Sequence, residues 1–414
     1  MRILWFSHRT FPSHDTGGAT WLDPLAPGLL ATGEVELCNV SWGRGGAPTR
    51  QDDGPIQQWM VRPAKLGRDG LPPARIVAGI VKVVADYAPD IVHVWGAESY
   101  WGLLTARGII RVPALLEIQG LKEPYARVYA GGLSMQQQIS CIGPREIIRR
   151  GGVAAGRRAF RKWGRFEREI IAGHRYITTQ SPWVEAWVNA RNNSAQFFHA
   201  ELALREPFYG AHPWSCHDNA VVFCSAAYPV PYKGFHDAVR AFALLKRYLP
   251  NARLRVAGSF RSGGLHRNGY AAWVKRLAAS LRIADSIEWL GPLSAVNMVA
   301  ELQGCSVMLM PSHCETYCVA MAEALYLGVP VVSAQTGGAN WLARDEESAL
   351  FFPAGDEVMC SYQLRRVLTE QQIAHKLSSN ARSAAIVRND LSTVVAHQAD
   401  TYREIIADVD AASS

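Results

Sequence analysis

No apolar run in this chain approaches the roughly 18 residues that a membrane-crossing helix requires, so no transmembrane segment is predicted. The opening Met1-Arg2-Ile3-Leu4-Trp5-Phe6 stops at Ser7-His8-Arg9 and lacks the long apolar core of a secretory leader. It reads as the first strand of a parallel sheet, and the expected location is cytoplasmic. The eight cysteines are scattered, with no Cys-x-x-Cys pair, which points to reduced thiols rather than a disulfide framework. His313, Cys314 and Cys318 suggest a metal site only until a fourth ligand is sought; none is evident, and core packing explains them better. The Asp-x-Asp pattern occurs only as Asp408-Val409-Asp410 in the terminal tail, so no metal is expected. Charged residues make up only 19% of the chain and apolar ones 49%, which excludes disorder.

What is present is size and positive charge. At 414 residues the chain exceeds one ordinary core and fits two domains of about 200 residues. The net charge of +7 suits an anionic partner. Much of it is local: Arg145, Arg149, Arg150, Arg157, Arg158, Arg161, Lys162, Arg165 and Arg168 outnumber Glu146, Glu167 and Glu169, with Phe160, Trp163 and Phe166 interleaved. Two readings stand for 145–168: a basic amphipathic surface touching anionic lipid or a lipid-linked acceptor, or a solvated helix face. No nucleic-acid motif accompanies the charge, so that partner is set aside.

Strands and helices alternate twice. In the first half, strands are expected at 2–7, 36–40, 90–95, 112–119 and 176–180. Helices are expected at 21–32, 76–87, 157–172 and 182–190. Asp90-Ile91-Val92-His93-Val94-Trp95 is apolar at nearly every position, as a strand covered on both faces should be. Residues 120–160 are rich in Gly, Gln and Arg and resist assignment, and 199–214 reads as a linker. A second alternating set follows it, with strands at 220–225, 253–257, 286–290, 307–310 and 329–334. The fold class predicted is α/β, two doubly wound Rossmann-like domains facing across a cleft. The boundaries are 1–212, 213–388 and a terminal helix at 389–414.

The most informative stretch is Pro311-Ser312-His313-Cys314-Glu315-Thr316-Tyr317-Cys318-Val319-Ala320-Met321-Ala322-Glu323-Ala324. A buried strand ends at Pro311, and a helical pattern runs from about Thr316 to Gly328. A helix mouth presents free N–H groups to phosphate. Eight residues of helix would set Glu315 and Glu323 about 12 Å apart, near the span from sugar to ribose across a diphosphate. Further on come Pro330-Val331-Val332 and Gly337-Gly338, while Lys233-Gly234 precedes the Phe235 helix as a cation beside a helix start.

In these residues, in this order, the chain resembles the retaining glycosyltransferases of family 4, which have the GT-B fold. The run Tyr228-Pro229-Val230-Pro231-Tyr232-Lys233-Gly234 is similar to capsule- or exopolysaccharide-type members. The resemblance implies an N-terminal acceptor domain and a C-terminal nucleotide-sugar domain, closing about a linker near residue 210. It implies that Glu315 contacts sugar hydroxyls and that Thr316 and the N–H groups of Tyr317 and Cys318 cradle phosphate or sugar oxygens. Glu323 would hold the ribose, Lys233 the diphosphate, and backbone near Gly291 and Leu293 the base. Gly17-Gly18, after the first strand, matches the glycine loop that borders the donor phosphate; by itself it is an ordinary turn.

The chain also departs from the pattern. Tyr228 and Ala227 stand where an Arg completes a two-cation clamp; either another cation, with Arg261 as the candidate, contributes or the clamp is single. Gln119 stands where a His is common, and Tyr317-Cys318 where Phe-Gly is common. His93 and Glu98 close a strand on the acceptor side; a structural role fits them equally. The expected activity is retaining transfer of a hexose from a nucleoside diphosphate sugar to a hydroxyl, in surface polysaccharide or glycoconjugate synthesis, without cofactor or metal. The alternatives are an epimerase on the same architecture, or a non-catalytic binder of nucleotide sugar or glycan.

Overall fold

Every side chain from Ile91 to Trp95 is buried, the condition of a strand covered on both faces. It lies near the middle of an eight-stranded sheet. The computed structural model describes residues 1–11, 20–43, 48–51, 54–260 and 268–413. In chain order the first sheet's strands are β1 Arg2–Phe6, β2 Glu36–Trp42, β3 Thr49–Arg50, β4 Gln57–Val61, β5 Ile91–Trp95, β6 Ala114–Glu117, β7 Tyr176–Thr179 and β8 Gln196–His199. Their spatial order is β3-β4-β2-β1-β5-β6-β7-β8. All pairings are parallel except the short β3–β4 edge.

Side chains alternate across this sheet with the period of two that a strand imposes. Leu4, Phe6, Val92 and Val94 enter one core, under the helices Ala74–Tyr87 and Trp101–Ala106. Ile3, Trp5, Ile91 and Trp95 enter the other, with Leu25 and Leu29 of the helix Leu22–Ala31. Val394, Val395 and Tyr402 of the terminal helix Leu391–Ser413 join this second core, and the Trp5 indole donates to the Tyr402 hydroxyl at 3.0 Å.

The second sheet comprises β9 Val221–Ser225, β10 Arg253–Ala257, β11 Ile287–Gly291, β12 Val307–Met310, β13 Val331–Ala334 and β14 Leu350–Phe352. Its order is β11-β10-β9-β12-β13-β14, parallel throughout. Strand order reverses between β9 and β12, as it does between β1 and β5 in the first sheet. Ligands of open α/β sheets bind beyond the strand ends at such switch points.

Two compact units result: Met1–Lys122 with Lys162–Arg205 and Asn389–Ser414, and Glu123–Arg161 with Glu206–Arg388. The terminal helix, expected at 389–414, spans Leu391–Ser413. Residues 123–161, expected in the first domain, pack with the second unit instead. The Tyr129 ring meets Tyr232 at 5.6 Å, and Gly269 N–H donates to Glu146. The expected linker 199–214 contains the point, between Arg205 and Glu206, where the chain passes from the first unit to the second. Leu202, Ala203, Leu204, Phe208 and Trp214 are buried, and the Trp214 indole donates to Cys305 O at 2.7 Å.

Candidate active site

Because β9 and β12 are neighbours, the loops that follow them lie side by side at the strands' C-terminal edge. The first loop ends in the turn Pro231–Lys233, closed by Gly234 at φ 69°. A Cβ at Gly234 would sit 1.9 Å from Pro311 O, so only glycine permits this approach. The second loop, 311–318, holds Glu315 and is pinned on two sides. His313 N–H donates to Tyr232 O at 2.7 Å, and Gly338 N–H donates to Glu315 O at 2.9 Å. Gly337, at φ 50°, lets that backbone come close.

Lys233 Nζ donates to Glu315 Oε1 at 2.6 Å, with the lysine side chain 23% exposed and the glutamate 8%. Burial works against the ammonium charge, yet the Glu315 carboxylate, with Tyr232 and Cys318, outweighs it and the Lys233 pKa rises above its ordinary value. The Lys233 ammonium therefore keeps its charge in a largely dry setting, where an anion would feel it strongly.

The helix after Glu315 starts later than its pattern suggests. It spans Val319–Leu327, because Cys318 takes a left-handed conformation (φ 82°, ψ 68°) that ends any helical turn before it. Glu315 thus belongs to the loop. Only Val319 to Glu323 is helical between the two glutamates, a rise of about 6 Å, so the expected 12 Å helical ruler does not exist. Glu323 is buried on this helix. The departure of Cys318 from glycine is therefore a departure at a position whose backbone favours glycine.

Thr316, Tyr317 and Cys318 are buried around the helix mouth. Thr316 N–H donates to the Tyr125 hydroxyl at 3.1 Å, and the two hydroxyls lie 3.2 Å apart. Tyr125 was missed by sequence reasoning, since 191 positions separate it from Thr316. Gly291 closes β11 at φ 87°, its carbonyl accepting from Gly258 N–H at 2.8 Å; Leu293 follows, half-buried. Gly17, Gly18 and Arg261 lie outside the described residues.

One cluster has donor groups of the metal-ligand kind, each with protein partners. His236, Asp237 and His313 place three groups that could hold a metal ion within 4.8 Å of one another. Hydrogen bonds already engage them: His313 Nε2 meets Asp237 Oδ2 at 2.8 Å, while His236 bridges the Tyr270 hydroxyl at 2.8 Å and Gly131 O at 2.7 Å. Burial pushes His236 down to about 4, so its ring is neutral. These bonds brace the loop that carries Glu315. Cys314 joins no such group among the described residues; burial pushes its thiol up to about 12.

In the first unit, the β1–β5 switch point opens into a cavity of about 420 Å³ lined by His8, Trp42, Pro63, Ala64, Leu66, Glu98, Ser99, Tyr100 and Trp163. Trp42 closes β2 and stacks on Trp101 at 4.6 Å. Glu98 lies over glycine backbone: a Cβ at Gly96 or Gly120 would come within 2.3 Å of its carboxyl oxygens. Burial raises the Glu98 pKa against the pull of Lys122, and burial with Lys122 lowers that of His8, so both tend to the neutral form. Among the described residues the Ser99 and Tyr100 hydroxyls have no hydrogen-bond partner. The Trp and Tyr around the ends of β2 and β5 were the available sequence signal for this cavity.

Of the residues expected on the acceptor side, Glu98 lines the cavity and Gln119 lies beside it, its Oε1 3.5 Å from the Gly96 Cβ position. His93 does not. It is wholly buried, stacked on Trp95 at 3.9 Å and bonded through Nδ1 to the Tyr402 hydroxyl at 2.8 Å. The strand alternation that sends Val92 and Val94 to one core turns His93 toward the other.

Nearly all of the chain is similar in fold to solved structures. Sucrose-phosphate synthase from Thermosynechococcus elongatus gives a TM-score of 0.76 at 16% identity, over 98% of this chain and 99% of that one. Anabaena HepE in complex with UDP-glucose gives 0.70 at 15% identity, over 98% and 100%. The fold is GT-B. Within this GT-B chain, residues 215–384 match the family model for glycosyl transferases group 1. A D-inositol 3-phosphate glycosyltransferase of Stackebrandtia nassauensis is 30% identical over 168 residues, 40% of this chain and 37% of that protein. The matched part thus spans well under half the length of that curated relative. No helix among the described residues is long and apolar enough to cross a membrane.

Proposed function

We propose that this protein transfers a hexosyl group from a nucleoside diphosphate sugar to a hydroxyl with retention of anomeric configuration. The observation that carries the reading is the Lys233–Glu315 pair beside the mouth of the Val319–Leu327 helix, inside the segment that matches the group 1 glycosyl transferase model. In this structure the two charges satisfy each other. A nucleotide sugar takes over both roles: its diphosphate meets the Lys233 ammonium, and its sugar hydroxyls donate to the Glu315 carboxylate. As the glycosidic bond breaks, negative charge gathers on the departing diphosphate. A fixed cation and helix-mouth N–H groups stabilise that charge more than the ground state, which lowers the barrier. The diphosphate, on the same face as the attacking hydroxyl, takes its proton. Glu323 receives the ribose hydroxyls.

The acceptor is read as a glycan or lipid-linked intermediate of surface polysaccharide synthesis at the inner face of a membrane. The cavity beside Trp42, Trp163 and Glu98 supports it, since aromatic faces and neutral hydrogen-bonding groups suit a sugar ring. The complex of HepE with UDP-glucose makes UDP-sugars the first donors to try. A panel of nucleoside diphosphate sugars, assayed for diphosphate release with and without glycan acceptors, tests the reading. Acceptor-dependent release with a retained product supports it. Epimer formation without acceptor, or binding without turnover, overturns it.

A further inference from the structure

Large apolar side chains exposed to solvent are few, and they are not spread evenly. Of the fourteen among the described residues, five fall between positions 135 and 148: Met135 at 72% exposure, Ile139 at 59%, Ile142 at 50%, Ile147 at 69% and Ile148 at 70%. Exposing two adjacent isoleucines is costly in water and calls for a partner.

This segment is not a loose loop. It consists of two short helices, Met135–Ser140 and Pro144–Ile148, the first closed by a capping box between Ser134 and Gln137. Cys141 is buried between them, and Arg276 donates to Ser140 O at 2.7 Å. Glu146, its only acidic residue, is turned inward: its carboxylate accepts from Gly143 N–H at 3.1 Å and from Gly269 N–H at 3.2 Å, at the start of the helix Gly269–Ser280. What faces outward beside the isoleucines is Arg149 and Arg150, with Arg145 half-exposed. No carboxylate pairs with any of the three among the described residues.

The helix Val153–Ala172, whose interleaved aromatics suggested a lipid-facing surface, uses those aromatics internally. The Trp163 indole donates to Ala97 O at 2.9 Å, Phe166 packs on the first core, and Phe160 meets Tyr129 at 4.9 Å.

We propose that residues 135–150 form a docking surface for an anionic lipid bilayer, with Met135, Ile139, Ile142, Ile147 and Ile148 entering the acyl boundary and Arg145, Arg149 and Arg150 meeting lipid phosphates. A bilayer supplies an apolar phase and fixed negative charge within a few ångströms of each other, which matches this pairing. A second copy of the chain does not, because this face would set guanidiniums against guanidiniums with its one carboxylate turned away. The inference deepens the reading of a membrane-borne acceptor. Its readout is binding without turnover, so the two fail separately.

The test is flotation of the full chain with phosphatidylcholine vesicles and with mixed phosphatidylglycerol–phosphatidylcholine vesicles, at low and high salt. Expected are selective recovery with the anionic vesicles, a loss on adding salt, and a drop of at least about tenfold for Ile147→Ser with Ile148→Ser and for Arg149→Ala with Arg150→Ala. All four sites are exposed, and an unchanged thermal midpoint shows that the variants fold. Equal recovery on neutral and anionic vesicles, or wild-type binding by the isoleucine pair variant, overturns the proposal. So does a dimer in sedimentation that the isoleucine pair variant dissolves.

Discussion

The two sheets reverse strand order in the same way, yet their switch points carry opposite electrostatics. At β9–β12 the chain keeps charge: Lys233 and Glu315 form a tight ion pair, and the lysine's proton is held more firmly than usual. At β1–β5 burial disfavours charge. His8 and Glu98 are both shifted toward neutrality by burial, and the walls are Trp42, Tyr100 and Trp163. The backbone scaffold is shared, so the difference lies in what the strand-end loops carry. A charged edge suits a diphosphate, whose attraction offsets the dehydration of the lysine. A neutral aromatic edge suits a sugar ring, which an ionised wall would serve less well.

The sharpest way to break this contrast is Lys233→Ala. It leaves the buried Glu315 carboxylate without its cation, with an expected loss of about 3 kcal/mol in stability and of at least about a hundredfold in nucleotide-sugar affinity. Urea unfolding and calorimetric titration would read both, and unaltered affinity would remove the diphosphate role.

Next in size is pH. Glu117, buried in the first unit beside Gln180, has its pKa raised by burial from 4.5 to about 8. The unfolded chain releases this proton at the ordinary carboxylate pH while the folded one retains it. Stability is therefore full below about 4.5 and falls as pH rises toward 8, by up to about 1.4 kcal/mol per unit. Glu117→Gln should flatten that slope in unfolding curves measured between pH 5 and 8. His174, lowered by burial to about 4, acts in the other direction, weakening the fold as pH drops below 6.5 in both proteins.

Trp42→Ala should raise the KM for a glycan acceptor about tenfold while leaving donor affinity intact, which would confine the effect to the neutral edge. Cys318→Gly should relieve about 1 kcal/mol of left-handed strain, seen as a higher urea midpoint, since glycine takes φ 82° without penalty. Smallest of all, Glu98→Gln should change turnover by less than about twofold, because an amide replaces a carboxyl already biased to its neutral form. A collapse of activity would recast Glu98 as a working acid or base.

Much of this was readable in advance. Buried parallel strands announce themselves as short unbroken apolar runs, so β5, β9, β12 and the terminal helix were found close to their true ends. Glu315, Glu323 and Lys233-Gly234 stood out by order along the chain. The edge strands β3 and β4 and the short helices between 122 and 148 carry weak periodicity and escaped. The helix start slipped from Thr316 to Val319, because a left-handed cysteine leaves no compositional mark.

The amino-acid sequence by itself determined that there are two alternating α/β sets, and which strand-end loops carry Lys233 and Glu315. These follow from local patterns, where period and turn chemistry act over a few residues. Tertiary structure alone decided that residues 123–161 join the second unit, that Tyr125 braces Thr316, and that His93 is a core residue while Glu98 lines a cavity. It also decided that Glu146 turns inward and leaves a face of isoleucine and arginine. Each of these depends on contacts between residues far apart in the chain, whose partners are chosen by packing and by the need to satisfy buried polar groups.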